Sequence, residues 1–371
     1  MSKLNETVGF MTLREDAENL YSTEIARRAG KYGLALFKFS PASIQPGSTL
    51  ISGRVFEKEE WKKAMRPLPS FIYDRCFYSR SSHTSKARPI ADWLKTRPDT
   101  VFLGKGLPDK WAVYQAIKQD PTLSFYLPST LLLASAKEIF PLLFRERQCM
   151  LKPVRGSQGR GIIALSLSGK TIEAVYHSGV HKKTKVFPAI EEFEEWMDQF
   201  LEQSRDAYLM QPLLTLTDRA RYPFDIRILL QKDGDGKWQE RGRGIRKGYQ
   251  GSYISNLGSG GEGQSYDDWF SRLSRRQAYL FQDDLSTVIA KLPVILEEQF
   301  SPLFELGLDI GYSRDGSIWI LDINSKPGRQ LIMQTKPELK DALFEAPLAY
   351  CRHLIRQQEA AALKQQDQIQ D

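Results

Sequence analysis

Within residues 1–105, short apolar runs alternate with mixed stretches at a spacing too tight for long helices. Val8–Thr12 and Leu34–Phe39 predict strands, the second closing at Ser40-Pro41, with a helix at Thr23–Tyr32 between them. Leu50–Phe56 and Ser70–Tyr73 predict two further strands. Between those two, the charged segment Glu57–Met65, stopped by Pro67, predicts a short helix. Strand–helix–strand alternation favours a parallel sheet, so this region is expected to form a small Rossmann-like α/β lobe. It holds no GxGxxG, and nothing in it points to a dinucleotide.

Beyond it, a helix opens at Asp109 and leads to a strand at Leu127–Leu132, a helix at Ala136–Arg145 and a strand at Cys149–Lys152. Ile190–Glu202 places Phe193, Trp196, Met197 and Phe200 at helical spacing on an acidic background, the pattern of an amphipathic surface helix. Phe224–Gln231 and Lys237–Arg246 flank an Asp-Gly-Asp-Gly turn, and Leu308–Tyr312 and Ser317–Asn324 flank Arg314-Asp315-Gly316, so each pair predicts a hairpin. Arg272–Phe300 reads as largely helical, and the Gln-rich tail from Arg356 is expected to fray. The most apolar stretch, Leu131–Phe144, is broken by Lys137, Glu138 and Pro141 and falls short of the ~20 residues of a membrane span. With no apolar leader at the N-terminus, a soluble, cytoplasmic chain is expected.

Composition narrows the partners. Of 371 residues, 41% are hydrophobic and 26% charged, which excludes a disordered or fibrous chain. Lysine and arginine number 52 against 45 acidic residues, and the surplus of +7 favours anionic partners such as nucleotides, phosphates or acidic polymers. No RNA- or DNA-binding module accompanies that charge. Cys76, Cys149 and Cys351 are odd in number and lack CxxC spacing, which argues against disulfides or a zinc site. His177 and His181 lie beside Gly179, Lys182 and Lys183, which suggests an exposed loop rather than a metal site.

Three stretches carry candidate chemistry. In the first, the strand ending at Lys152-Pro153 runs into Gly156, Ser157, Gly159 and Gly161. Glycines let backbone amides close on an anion, Lys152 adds a point charge and Ser157 a donor. The spacing is not that of a P-loop, and a plain hairpin turn fits it as well. In the second, Asp322 and Asn324 share one face of a strand, and Asp309 on the partner strand reaches the same patch. Two carboxylates and an amide oxygen are hard ligands that suit Mg²⁺; a polar-faced hairpin is the alternative. In the third, Asp225 and Arg227 share a face, and Arg241, Arg243, Arg246 and Lys247 follow on the next strand. Guanidiniums of that kind match phosphate and carboxylate oxygens, or else form a solvated basic face or a nucleic-acid patch. The glycine-rich run Ser255–Gly261 reads as a flap or a surface loop.

Taken in this order, the pieces resemble the ATP-grasp superfamily from Asp109 to Arg329. Asp109-Lys110 looks like the family's first nucleotide-lysine motif and Lys152-Pro153 with its glycines the second, the two lysines standing 42 residues apart. Gln211-Pro212-Leu213-Leu214 lies where the hinge segment contacts adenine. Asp309, Asp322 and Asn324 match the metal motif, Asp322 replacing the usual glutamate. Within the superfamily the chain is similar to YheC/YheD-type proteins, which are associated with the spore coat of endospore-forming bacteria. That likeness rests on Phe224-Asp-Ile-Arg-Ile, the Asn256–Gly261 loop and Ile318–Gly328. RimK-type glutamate ligases share Asp225-x-Arg227 and Ser255-Asn256-Leu257, but carry basic residues where this chain has Ile254 and Ser259. The resemblance therefore does not carry a glutamate substrate over.

What it implies is an ATP-grasp fold behind an N-terminal α/β lobe, divided as 1–105, 106–210 with the phosphate loop, 211–353 with the Mg²⁺ site, and a tail at 354–371. It further implies carboxylate–amine ligation through an acyl phosphate, on an amino acid, peptide or polymer. Lys110, Lys152 and the glycine loop would hold ATP phosphates, and Gln211, Leu213 and Leu214 would meet the base. Asp309, Asp322 and Asn324 would hold Mg²⁺. Arg227 and Arg246, with Arg243, would steady the transferred phosphoryl group. Ser325–Gly328 would line the acceptor side. Two alternatives stay open: a nucleotide-binding structural protein of the spore coat, contacting other coat proteins, and a kinase of the same fold.

Overall fold

The computed structural model describes residues 6–45, 47–78, 82–156, 159–178, 181–250 and 261–370. Three sheets follow one another along the chain, each covered by helices.

The first contains β1 (Glu6–Met11), β2 (Leu34–Phe39), β3 (Ile51–Glu57), β4 (Glu60–Arg66), β5 (Phe71–Asp74) and β6 (Val101–Phe102), with α1 (Asn19–Ala29) and α2 (Ser82–Thr96) between strands. Its order is β4-β3-β2-β1-β5-β6. The expected parallel sheet holds for β2-β1-β5-β6, whereas β3 and β4 add an antiparallel edge, so the sheet is mixed. The helix expected at Glu57–Met65 is instead strand β4. Lys58 and Glu59 both take positive φ, 51° and 65°, which closes a two-residue hairpin. Phe56 and Trp61 then face each other with ring centroids 5.3 Å apart, and Trp61 Nε1 donates to Thr23 Oγ1 at 2.8 Å. Those contacts outweigh the helix propensity of a Glu/Lys-rich segment.

Next come α3 (Lys110–Lys118), β7 (Leu131–Leu133), α4 (Phe140–Glu146), β8 (Gln148–Pro153), β9 (Ile163–Ser168), β10 (Thr171–Ser178), β11 (His181–Phe187), α5 (Ile190–Gln203) and β12 (Tyr208–Pro212). The second sheet runs β11-β10-β9-β8-β12-β7 and packs Leu151 and Leu165 against Leu143, Phe193 and Met197 of the helices. The strand expected at Leu127–Leu132 is confined to β7, because Leu123–Tyr126 turns as a 3₁₀ helix and Pro128 follows. His177 and His181, expected in a loop, lie in paired strands β10 and β11.

The third sheet comprises β13 (Phe224–Lys232), β14 (Trp238–Lys247), β15 (Glu262–Ser265), β16 (Glu305–Tyr312) and β17 (Ile318–Asn324) in the order β15-β14-β13-β16-β17. Between its strands lie α6 (Tyr266–Phe270) and α7 (Arg275–Gln299), and after it α8 (Gln330–Thr335) and α9 (Lys340–Gln370). Ser274 and Gln277 form a reciprocal cap at the start of α7. Its apolar stripe (Phe281, Leu285, Val288, Leu292) covers Ile226, Ile228, Leu308 and Ile310 on one face of the sheet. The tail from Arg356 does not fray as expected but continues α9. That helix is anchored upstream, where Phe344, Leu348 and Cys351 pack with Ile25 and Leu36 of the first lobe. Among the described residues no helix is long and apolar enough to cross a membrane.

Candidate active site

Strand alternation builds the site. With Ile226 and Ile228 turned into the core, Asp225 and Arg227 project from the opposite face of β13. Arg227 is in register with Asp309 of β16, and Asp309 with Asp322 of β17, so three functional side chains stand in a row across three strands. Asp225 is in register with Arg246 of β14, and Gly307 with Asn324. A bulge at Leu321 lets Asp322 face the row while Ile320 stays in register with buried Ile310.

The row is tightly paired. Arg227 Nε and Nη2 donate to Asp309 Oδ1 and Oδ2 at 2.5 and 3.1 Å. Arg246 bridges Asp225 Oδ1 (2.6 Å, from Nε) and Asp309 Oδ2 (2.8 Å, from Nη2). Burial would raise the Asp309 carboxyl, but the charges of Arg227 and Arg246 hold it down at about 2. Arg243 is placed elsewhere: in register with core-facing Ile228, its guanidinium meets Glu240 Oε1 and Oε2 at 2.5 and 2.8 Å and Tyr266 Oη at 3.1 Å. It therefore does not join Arg227 and Arg246.

Two lysines approach from other elements. Asp109 caps α3, its Oδ1 accepting from Ala112 N at 3.1 Å, and so presents Lys110 at the helix's first position. Lys110 Nζ donates to Asp322 Oδ2 at 3.0 Å. From β8, Lys152 Nζ reaches the bulge and donates to Leu321 O at 3.2 Å. Burial and the charge of Lys110 pull the Lys152 ammonium down to about 8, against the opposing effect of Asp322 and Asp309.

A cleft opens between these elements. Lys110, Lys152, Gln211 and Asp322 line it together with apolar Val113, Tyr114, Ile117, Leu127, Ile320 and Ile323. Leu213 and Leu214 follow β12 and are half-buried outside this lining. The glycine loop joins β8 to β9. Gly159 and Gly161 take φ of 73° and 77°, and a Cβ on Gly156 would stand 2.6 Å from Pro153 Cγ, so the chain needs glycine there. Ser157, and the flap apart from Gly261, lie outside the described residues.

Sequence reasoning missed a second charged cluster on the same face of β16. Glu305, 2% exposed, accepts from Tyr73 Oη at 2.8 Å, Arg75 Nη1 at 2.7 Å and Gln231 Nε2 at 3.1 Å, and also pairs with Arg329. Arg75 and Arg329 further donate to Pro327 O at 3.3 and 3.4 Å. Lys326 Nζ meets Asp74 Oδ2 at 2.7 Å and Cys76 O at 2.9 Å, and Ser325 Oγ accepts from Leu107 N at 3.0 Å. Segment 325–329, which follows the β17 acids, is thereby pinned to the C-terminal end of β5. Its partners are separated by up to 256 residues, and no local motif marks them.

A sequence model described as YheC/D like ATP-grasp matches residues 99–354. The chain belongs to the YheC/D-like ATP-grasp family. Endospore coat-associated protein YheC of Bacillus subtilis (strain 168) is 40% identical over 354 residues, 95% of this chain and 97% of that one. Endospore coat-associated protein YheD of the same strain is 23% identical over 320 residues, covering 85% and 69%. A RiPP-associated ATP-grasp ligase of Chryseobacterium gregarium, solved with ADP and a leader and core peptide, superposes with a TM-score of 0.52 at 13% identity, over 93% of this chain and 96% of that one. This likeness is one of fold. The three sheets are thus an ATP-grasp fold with its N-terminal lobe.

In this ATP-grasp protein, Asp309, Asp322 and Asn324 offer hard oxygen donors from one face of adjacent strands. No three His, Cys, Asp or Glu side chains converge as a metal cage among the described residues. Two carboxylates and an amide fit Mg²⁺, which completes its octahedron with water and phosphate oxygens rather than with protein alone. The lysines and arginines around them suit the anionic partner such a site requires.

Proposed function

We propose that this chain is an ATP- and Mg²⁺-dependent carboxylate–amine ligase. The observation that carries the reading is convergence: Lys110, Lys152, Arg227, Arg246, Asp309 and Asp322 come from six elements and meet at one end of an apolar cleft.

ATP would lie with its base in the apolar part, against Gln211, and its phosphates toward Lys110, Lys152 and the 156–161 loop. Mg²⁺ held by Asp309, Asp322 and Asn324 supplies charge neutralisation of the phosphates. A substrate carboxylate oxygen attacks the γ-phosphorus and ADP leaves with the electrons of the broken P–O bond. The resulting acyl phosphate is attacked at carbon by an amine, phosphate departs, and the amine's proton goes to solvent. Arg227 and Arg246 lie where they can exchange Asp309 for phosphoryl oxygens, a charge-stabilising role. Segment 325–329, fixed to the first lobe, would form the acceptor wall. The 40% likeness to YheC supports a role connected with the spore, on an amino acid, peptide or polymer.

The test is ADP release by purified protein with Mg²⁺-ATP across a panel of amino acids and peptides, beside an Asp322→Ala, Asn324→Ala variant. Stimulated release lost in the variant supports the reading. Mass spectrometry then separates a ligated product from a phosphorylated one, the latter replacing the ligase by a kinase. Absence of nucleotide binding would sink the enzyme reading.

A further inference from the structure

Residues 1–105 hold 18 basic and 11 acidic side chains, the whole chain's surplus of +7, whereas residues 106–371 hold 34 of each. That surplus surfaces on β4, an edge strand of the first sheet. Lys62, Lys63 and Arg66 are exposed there, and none of them forms an ion pair among the described residues. Lys63 stands opposite Arg54 of β3, and like charges facing each other weaken a ladder. Glu15 compensates Arg54 at 2.7 Å, but no acid among the described residues does the same for Lys63.

The opposite charge is concentrated on α5, whose 14 residues include six acids and no base. Phe193 and Met197 fix one side of the helix in the core of the second lobe. Glu194 pairs with Lys137, and Asp198 accepts from Ala136 N. Glu191, Glu195 and Glu202 remain, exposed, at spacings of four and seven residues that keep them on one helix face. They span roughly 16 Å of helix, against roughly 13 Å from Lys62 to Arg66 along an extended strand.

We propose that β4 of one copy of this chain receives α5 of a second copy. Lysines on an edge strand repel other basic edges, and the same charge admits an acidic helix. Strand β11 also exposes Lys182, Lys183 and Lys185, but it lies beside α5 of its own subunit, where Phe187 packs on Phe193 and Lys185 covers Trp196. A second α5 brought to β11 would meet the first, acid against acid. The helices over the first sheet, α1 and α2, carry more bases than acids and offer no such repulsion. Because the two surfaces differ, the contact is head-to-tail and runs on until it closes into a ring or grows as a filament. None of these residues lines the nucleotide cleft, so the association is independent of the ligase reading.

Sedimentation velocity of the purified full chain over a range of concentrations, in about 20 mM and about 500 mM NaCl, tests this. At low salt the sedimentation coefficient should rise with concentration, and high salt should weaken the association at least about tenfold. Two triple variants, one with Lys62→Glu, Lys63→Glu and Arg66→Glu, the other with Glu191→Lys, Glu195→Lys and Glu202→Lys, should each be monomeric alone. Mixed together they should associate again, because a basic surface then meets an acidic one at every contact. Each variant keeps a net positive charge, so bulk attraction would not produce that rescue, and the rescue also shows both to be folded. Wild type that stays monomeric at low salt overturns the proposal. So does association that survives either triple reversal, or a mixture that stays monomeric. Binding of poly-L-glutamate to β4 without self-association would give the surface to an acidic polypeptide and overturn it equally.

Discussion

Arg227 and Asp309 meet side-on across β13 and β16, two nitrogens on two oxygens at 2.5 and 3.1 Å, with Arg246 on the remaining edge of the same carboxylate at 2.8 Å. The carboxylate that would hold a metal ion is thus the counter-ion of the guanidiniums that would hold a phosphoryl group. On the proposed reading, a Mg²⁺-nucleotide complex entering here would exchange one set of charge pairs for another.

Breaking those pairs from one side should be costly. Asp309→Asn leaves Arg227 without its partner and Arg246 with Asp225 alone, and a loss of roughly 3–5 kcal/mol is expected. Urea denaturation measures it. Asp309 also sets a pH signature: its carboxyl is held at about 2, below the ~4 of an unfolded aspartate. Its contribution is therefore present above about pH 4 and disappears as pH falls from 4 toward 2. Asp309→Asn should flatten the acid limb of the stability profile; an unchanged limb would assign it to other carboxylates.

Lys152 gives the opposite sign. Its ammonium is lowered to about 8 from the ordinary 10.5, so across pH 8 to 10.5 the unfolded chain holds more protons than the folded one. The contribution of Lys152 to stability should therefore rise through that window. Phosphates beside Lys152 would restore its charge, so nucleotide binding near pH 8.5 should take up a proton. Calorimetry in buffers of different ionisation enthalpy detects the uptake, which should vanish below about pH 7 and in Lys152→Met.

The hairpins carrying these residues were legible because glycine turns bracket alternating strands, which also placed Asp322 and Asn324 on one face. Arg243 shows where that reading slipped. It stands three residues from Arg246, and an odd spacing puts two residues on opposite faces of a regular strand. Period two thus already separated them. Segment 57–65 failed for another reason: Glu, Lys, Ala and Met are helix formers, and only pairing with β3 makes a strand of them. Glu305, Arg75 and Arg329 could not be grouped at all. The Arg75–Glu305 contact spans 230 residues of chain, and ion pairs at that range leave no periodic trace.

That buried trio should matter for stability. Glu305→Gln keeps the shape but leaves Arg75 and Arg329, 1% and 5% exposed, with Glu18 at 3.5 Å from Arg75 as the nearby counter-ion among the described residues. A fall of about 3–5 kcal/mol is expected. Asp16→Asn, which removes the exposed pair with Arg14, should cost less than about 1 kcal/mol. Chemical denaturation of both variants tests the contrast; equal effects would show that the Glu305 network is not the charged clamp described here.

Gly307 separates Glu305 from Asp309 on the same face of β16, and Pro327 packs directly on it. A Cβ at this position would lie 2.7 Å from Pro327 Cβ and 3.5 Å from Arg227 Nη1. Gly307→Ala must therefore push segment 325–329 away from the β16 acids, or shift the strand that carries them. Neither Gly307 nor Pro327 lines the nucleotide cleft, so ATP affinity should stay within about threefold of wild type. Acceptor-stimulated ADP release should fall by about tenfold or more, because a displacement of even ~1 Å between reacting groups is enough to do so. Parallel loss of ATP binding would place the strain on β16 itself and remove segment 325–329 from the acceptor wall.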